Sequence, residues 1–147
     1  MEYTDIMRWW ASLEHHTGDR ANLRRCHTVN DVQLEPAYHK LLAILDNLYI
    51  NHDQLAVMAG VLSHITTNNE RSSTATQLAE CMSELRFRRL LSVNEPDDLM
   101  LAMIRAVAML KGSTYIIDIA NAAYSWDDET KKAWALDYFS AGGKKHD

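Results

Sequence analysis

The side chains with the most chemistry to offer are arginines. Six of the nine fall in two short runs, Arg20-Ala21-Asn22-Leu23-Arg24-Arg25 and Leu85-Arg86-Phe87-Arg88-Arg89-Leu90-Leu91. A guanidinium keeps its charge at any working pH and presents a planar fork of N–H donors that matches phosphate or carboxylate. Wound as a helix, the second run puts Phe87, Leu90 and Leu91 on one face and Arg86, Arg88 and Arg89 on the other. One side can seal a core while the other holds out cations. In the first run Arg20 and Arg24 share a stripe one turn apart, with Leu23 and Cys26 turned elsewhere. The competing use of the second run is a solvated face, partly paired with Glu80 or Glu84. Its being arginine rather than lysine, concentrated in an acidic chain, favours anion binding. Arg71 and Lys111 join the candidates on local charge alone.

Other chemistries are weaker. Histidines invite a metal site, best placed at His15, His16, Cys26 and His27. Neighbours on a helix point about 100° apart, so His15 and His16 cannot face one ion, and no His-x-x-x-His or Cys-x-x-Cys pair replaces them. His52-Asp53 is similar to the pair that names a class of helical metal-dependent phosphohydrolases. That chemistry needs a further His upstream and an Asp downstream, and capping is the simpler task for Asp53. Asp127-Asp128-Glu129 lacks the spacing that aims several carboxylates at one magnesium ion and reads as a helix start. There is no Gly-rich phosphate loop and no nucleophile elbow. No catalysis, metal or cofactor is expected.

These residues have to be positioned by helices. Thr4 or Asp5 caps a first helix in which Ile6, Trp9, Trp10 and Leu13 repeat at i, i+3, i+4 and i+7, with Gly18 as its stop. The adjacent tryptophans read as a core anchor and not a ligand cage. Asp19 caps the first arginine helix, residues 27–34 form a connection, and Glu35-Pro36 opens a helix through Leu45. After a loop from Asn47 to Asn51, Asp53 caps a helix from Leu55 to Ile65 that is apolar nearly all round and belongs in the middle of a bundle. Thr66 to Thr74 carries no aliphatic or aromatic side chain and reads as a connector with Arg71 at its centre. A helix around Gln77 to Met82 follows, and Ser83 caps the second arginine helix. Asn94-Glu95-Pro96 leads into Asp97 to Leu110, acidic in its first turn, with Lys111 in its last and Gly112 closing it. Thr114 to Ile117 is rich in β-branched residues but has no partner strand in view, so it reads as an extended connection. Asp118 caps Ile119 to Trp126. Asp127 or Asp128 caps the last helix through Phe139, with Trp134, Tyr138 and Leu136 on its buried side. Ala141 to Asp147 reads as a frayed tail.

Composition agrees. With 147 residues, 47% hydrophobic, two prolines and five glycines, the chain can bury a core and favours helix. The expected fold is an all-α, compact multi-helix bundle of about eight or nine helices in two small lobes, 1–93 and 94–147. Cys26 and Cys81 have no pairing logic and read as reduced thiols. Residues 1–5 hold neither a basic region nor an apolar run, and no segment is long and apolar enough for a membrane span, so a cytoplasmic protein is expected. The net charge of −5 argues against a globally basic nucleic-acid-binding domain. It leaves room for a local basic patch, since salt confines the field of exposed charges to about 8–10 Å.

The order of the motifs resembles the CasB family, the small subunit of the type I-E CRISPR surveillance complex, Cascade. The resemblance spans residues 9–139: Trp9-Trp10-x-x-Leu13, Arg20-Ala21-x-Leu23-Arg24-Arg25, Pro36-Ala37-Tyr38, Arg86-Phe87-Arg88-Arg89-Leu90-Leu91, a helix from Asp98-Leu99 to Arg105, and Trp134-Ala135-x-Asp137-Tyr138-Phe139. It implies a non-enzymatic, all-helical subunit of an antiviral complex, whose partners are other Cascade subunits, a second copy of itself, guide RNA and target DNA. It implies Arg24 and Arg25 as a first basic motif, Arg86, Arg88 and Arg89 as a second, and Arg105 as a basic position of the following helix. Such a subunit clamps phosphates and leaves sequence choice to base pairing. With Tyr and Trp expected in the core, no base-stacking platform is anticipated. The alternative is a helical adaptor whose arginines meet acidic protein partners.

Overall fold

A computed structural model describes residues 2–47 and 49–142. In chain order the described residues form α1 (Tyr3–Ser12), α2 (Thr17–Arg24), α3 (Val29–Gln33), α4 (Pro36–Leu45), α5 (His52–Leu62), β1 (Thr67–Asn68), α6 (Thr74–Leu78), α7 (Glu84–Ser92), α8 (Pro96–Met109), β2 (Ser113–Thr114), α9 (Ile116–Tyr124) and α10 (Asp128–Ser140). The expected helical fold is the one found, with ten helices among the described residues because the 27–34 connection winds into a short one; the helix expected around Gln77 to Met82 lies earlier, at Thr74–Leu78.

α5 lies at the centre. Every residue from Leu55 to Leu62 is buried, and the helix is enclosed by α3, α8 and α9. Gly60 lets α8 approach: a Cβ built there would meet Met100 Sδ at 2.5 Å. Around this post the tryptophans tie α1 down. Trp9 Nε1 donates to the Ala37 carbonyl at 3.0 Å and Trp10 Nε1 to the Ile65 carbonyl at 2.9 Å, so each apolar ring is buried without orphaning its donor. α10 packs on α6, and Tyr138 stacks on Phe87 of α7 with ring centroids 3.9 Å apart.

Several helix starts differ from expectation. Asn51, not Asp53, caps α5 by accepting from the Gln54 N–H, and Asp53 instead accepts from Gln33 Nε2 at 2.7 Å. Asp118 lies inside α9 and accepts from the Thr74 N–H at 2.8 Å, serving the first turn of α6. Asp97 does the same for the Val29 N–H of α3. Asp19 sits within α2, paired with Lys40 at 2.7 Å. Glu2 begins α1 without a side-chain cap, and Gly18 belongs to α2 and does not stop α1. Ser83 and Asp127 cap α7 and α10 as expected. Leu136 is exposed, leaving Trp134 and Tyr138 as the buried residues of α10. Tyr3 and Tyr49 are exposed too, so not every tyrosine is in the core. Leu48 of the expected loop and Gly143–Asp147 of the expected tail lie outside the described residues.

The extended segment at Thr114 does find a partner. β1 and β2 pair in parallel, Thr67 opposite Ser113 and Asn68 opposite Thr114. The approach is set by Gly112, whose carbonyl accepts from Thr66 N and Thr67 N at 2.8 and 3.2 Å. Lys111 and Gly112 have φ of 57° and 75° in succession, and a Cβ on Gly112 would stand 3.3 Å from the His64 carbonyl oxygen. Gly112→Ala therefore combines a left-handed conformation with crowding. It should lower stability by about 1–2 kcal/mol, read as an earlier urea midpoint.

Candidate nucleic-acid interface

α7 begins where Ser83 Oγ accepts from the Arg86 N–H. Phe87 and Leu90 face inward and are buried, which fixes how the helix is turned. Phe87 is held by its stack on Tyr138, whose hydroxyl donates to the Met82 carbonyl at 2.6 Å just ahead of the helix. With that face pinned, Arg86 and Arg89 lie one turn apart on the flank towards α8. There they line one groove with Arg105, over walls of Met82, Leu90, Val93, Ala102 and Met109. The groove encloses about 470 Å³ and has no carboxylate in its lining. Arg88 is exposed but does not join this lining. Two arginines of the motif are thus gathered with a third from the next helix.

On its neighbouring side α8 contributes to a second recess, of about 310 Å³, where Ile104, Val107 and Ala108 meet Arg24, His64, Thr66, Lys111 and Gly112. Arg24 is partly committed: its Nε donates to the Ser63 carbonyl at 2.7 Å. Ser63 is the C-cap of α5, so the cation meets the negative end of the central helix. Burial, and then the neighbouring Arg20, pull the Arg24 pKa below its ordinary value. His64 is half-buried, and burial followed by Arg24 pulls its imidazole below the usual 6.5. Behind Arg24, Arg20 is half-buried, with Nε and Nη2 shielded from solvent and unpartnered; His64 Nε2 is in the same condition.

The other candidates stand apart. Arg25 bonds to Asn22 Oδ1 and lines a depression that also holds Asp31 and Glu35, so its local field is mixed. Arg71 is exposed in the turn after β1, where its N–H donates to Asn69 Oδ1 at 3.2 Å. His64 was not anticipated. Its local sequence only marks the polar end of an apolar run, and the cations around it come from residues about 40 positions away on either side.

The residues weighed for metal chemistry have other tasks. Tyr38 Oη is 2.8 Å from His52 Nδ1, and Asp53 is engaged by Gln33. Cys26 Sγ donates to the Asn22 carbonyl, and burial above all raises its pKa to about 11. Among the described residues no group of three or more His, Cys, Asp or Glu stands close enough to hold an ion. Nor is any described helix long and apolar enough to cross a membrane.

Fold and site together define a small all-helical protein with two cationic hollows flanking one helix. The family model for CRISPR-associated protein Cse2 matches residues 19–139, and the chain belongs to that family, the CasB family its motif order resembles. Its fold is similar to a chain in a crystal structure of E. coli Cascade bound to a PAM-containing double-stranded DNA target. That match has a TM-score of 0.72 and 18% identity, over 92% of this chain and 93% of that one. No curated protein sequence matches the chain.

The depressed His64 pKa has a consequence for the folded state. The unfolded chain takes up a proton near 6.5 and the folded chain only at lower pH, so folding stability falls as pH drops below 6.5. The slope is at most about 1.4 kcal/mol per pH unit. Replacing His64 with Gln should flatten this part of a urea-midpoint profile between pH 7.5 and 5.5.

Proposed function

We propose that the chain is a non-catalytic subunit of a Cascade-type, RNA-guided surveillance complex, and that it clamps nucleic-acid backbone through the α7–α8 groove. Membership of the Cse2 family and the fold shared with a chain of a DNA-bound Cascade support the assembly. The observation that carries the clamp is the convergence of Arg86, Arg89 and Arg105 on one groove without an acidic lining residue. Guanidinium forks on packed helices suit phosphate oxygens, which position a strand without reading its sequence. The partners are the other Cascade subunits, a second copy of the chain, and the backbones of guide RNA and target DNA, with the guide–target hybrid and the displaced strand both stabilised. Arg24 and Lys111 form a secondary contact, with Arg20 beside Arg24; Arg25, Arg71 and Arg88 stand outside both hollows.

The net charge of −5 opposes tight binding by the isolated chain. Held in the complex, the groove meets its strand at high effective concentration, and modest contacts suffice. A second reading has one observation in its favour. The walls of the groove are apolar, as an amphipathic acidic helix of a protein partner would need.

Fluorescence anisotropy with a single-stranded DNA oligonucleotide, in a salt series and with Cascade lacking this subunit present or absent, separates the two. Reversing Arg86, Arg89 and Arg105 to glutamate should remove the contribution of this subunit to DNA retention. It should also shrink the slope of log affinity against log salt by about 2, as three lost single-strand phosphate contacts imply. Unchanged DNA retention together with loss of the subunit from the complex would favour the protein-binding adaptor.

A further inference from the structure

The recess beside α8 holds more than a secondary contact of the backbone clamp requires. Arg24, Lys111 and His64 line it, Thr66 adds a hydroxyl, and no lining residue is acidic. Arg20 stands one turn before Arg24 and, with it, concentrates positive charge on this flank of α2. Like charges gathered without a counter-charge repel one another, and shielded N–H donors without partners cost free energy. Arg20 Nε, Arg20 Nη2 and the ring nitrogen His64 Nε2 are all shielded and unpartnered. An oxyanion entering the recess would supply a counter-charge to its lining cations Arg24 and Lys111 and a partner for His64, and would relieve the repulsion between Arg24 and Arg20.

We propose that this recess is a discrete oxyanion site that takes a phosphate group, with Arg24 and Lys111 as its fixed cations and His64 as a proton-linked third. The charged groups that line the recess with the imidazole are Arg24 from α2 and Lys111 from the turn after α8, beside the apolar Ile104, Val107 and Ala108 of α8, with Arg20 acting on Arg24. Burial first, and then Arg24, disfavour a proton on the ring while no anion is bound. A bound oxyanion reverses the local field and draws a proton onto the ring. By linkage, the same anion must then bind more tightly as pH falls. The inference deepens the phosphate-clamping reading and rests on it only for the source of the phosphate, strand backbone or free anion.

The test uses the full chain and sulfate, whose charge is constant from pH 5 to 8, with the His64 ring protons followed by NMR. Saturating sulfate should raise the His64 pKa by on the order of one unit, and sulfate should bind several-fold more tightly at pH 5.5 than at 7.5, about tenfold being the ceiling that a one-unit shift allows. Lys111→Gln should weaken the site without touching the bond from Arg24 to Ser63, and His64→Gln should keep binding but lose the pH dependence. A short single-stranded DNA oligonucleotide that shifts His64 and competes with sulfate assigns the site to strand backbone; sulfate binding without competition assigns it to free oxyanions. The site is overturned if sulfate and DNA both leave the His64 pKa unmoved, or if Lys111→Gln changes nothing. The Arg86, Arg89 and Arg105 reversal is the control. It should retain the sulfate response, so failure of the recess and failure of the groove give different results.

Discussion

A helix with no polar face beyond its first turn has to be enclosed, and α5 imposes that requirement on the whole chain. From Leu55 to Leu62 it exposes nothing, so elements must cover it on every side. α3, α8 and α9 do so. The closest approach is that of α8, where Gly60 leaves room for the buried Met100 side chain. Filling every side of one helix commits much of the apolar surface available to a domain of this size. What remains for the outside is polar, and its arrangement follows from how α8 is turned against α5.

That turn determines where the cations go. Met100, Met103, Ala106 and Val107 of α8 face inward, which leaves Arg105 on one flank and sends the chain past Ala108 to Lys111 on the other. α7 is set against the first flank through Phe87, stacked on Tyr138 and bound to its neighbourhood by the hydroxyl on the Met82 carbonyl. α2 is set against the second through Arg24, which meets the C-terminal end of α5 at Ser63. These cationic side chains therefore stand on elements already fixed by packing, so the proposed clamp would lose less conformational entropy on binding a strand. An acidic chain can hold two positive hollows in this way because the arginines come from separate segments and carboxylates are absent from both linings.

Much of this was legible in the sequence because it depends on local pattern. The apolar run of α5, the split faces of Phe87 and Leu90 against the arginines, Pro36 and Pro96 at helix starts and the Ser83 cap are all short-range signals, and each is found. Several of the errors share one cause. Asp53 and Asp118 look like caps of the helices nearest them, yet each accepts from a distant segment. Pairing of Thr67–Asn68 with Ser113–Thr114 gives the β-branched segment a partner from a stretch about 46 positions earlier that carries no strand signal of its own. His64 gains its meaning from Arg24 and Lys111, and Arg88 loses its place in the groove through the turn of α7. Contacts of this kind are decided by packing, which residue order alone does not reveal.

The central claim is that Arg86, Arg89 and Arg105 act as one phosphate-binding unit. Arginine side-chain NMR reads it directly, by following every Nε–H resonance of the full chain as a single-stranded DNA oligonucleotide is added at low salt. Arg86, Arg89 and Arg105 should shift together, on one binding isotherm, while Arg88 and Arg25 stay nearly still. Equal shifts at all surface arginines would mean a diffuse electrostatic cloud. Shifts confined to Arg25, Arg71 and Arg88 would put the strand on another face and contradict the account.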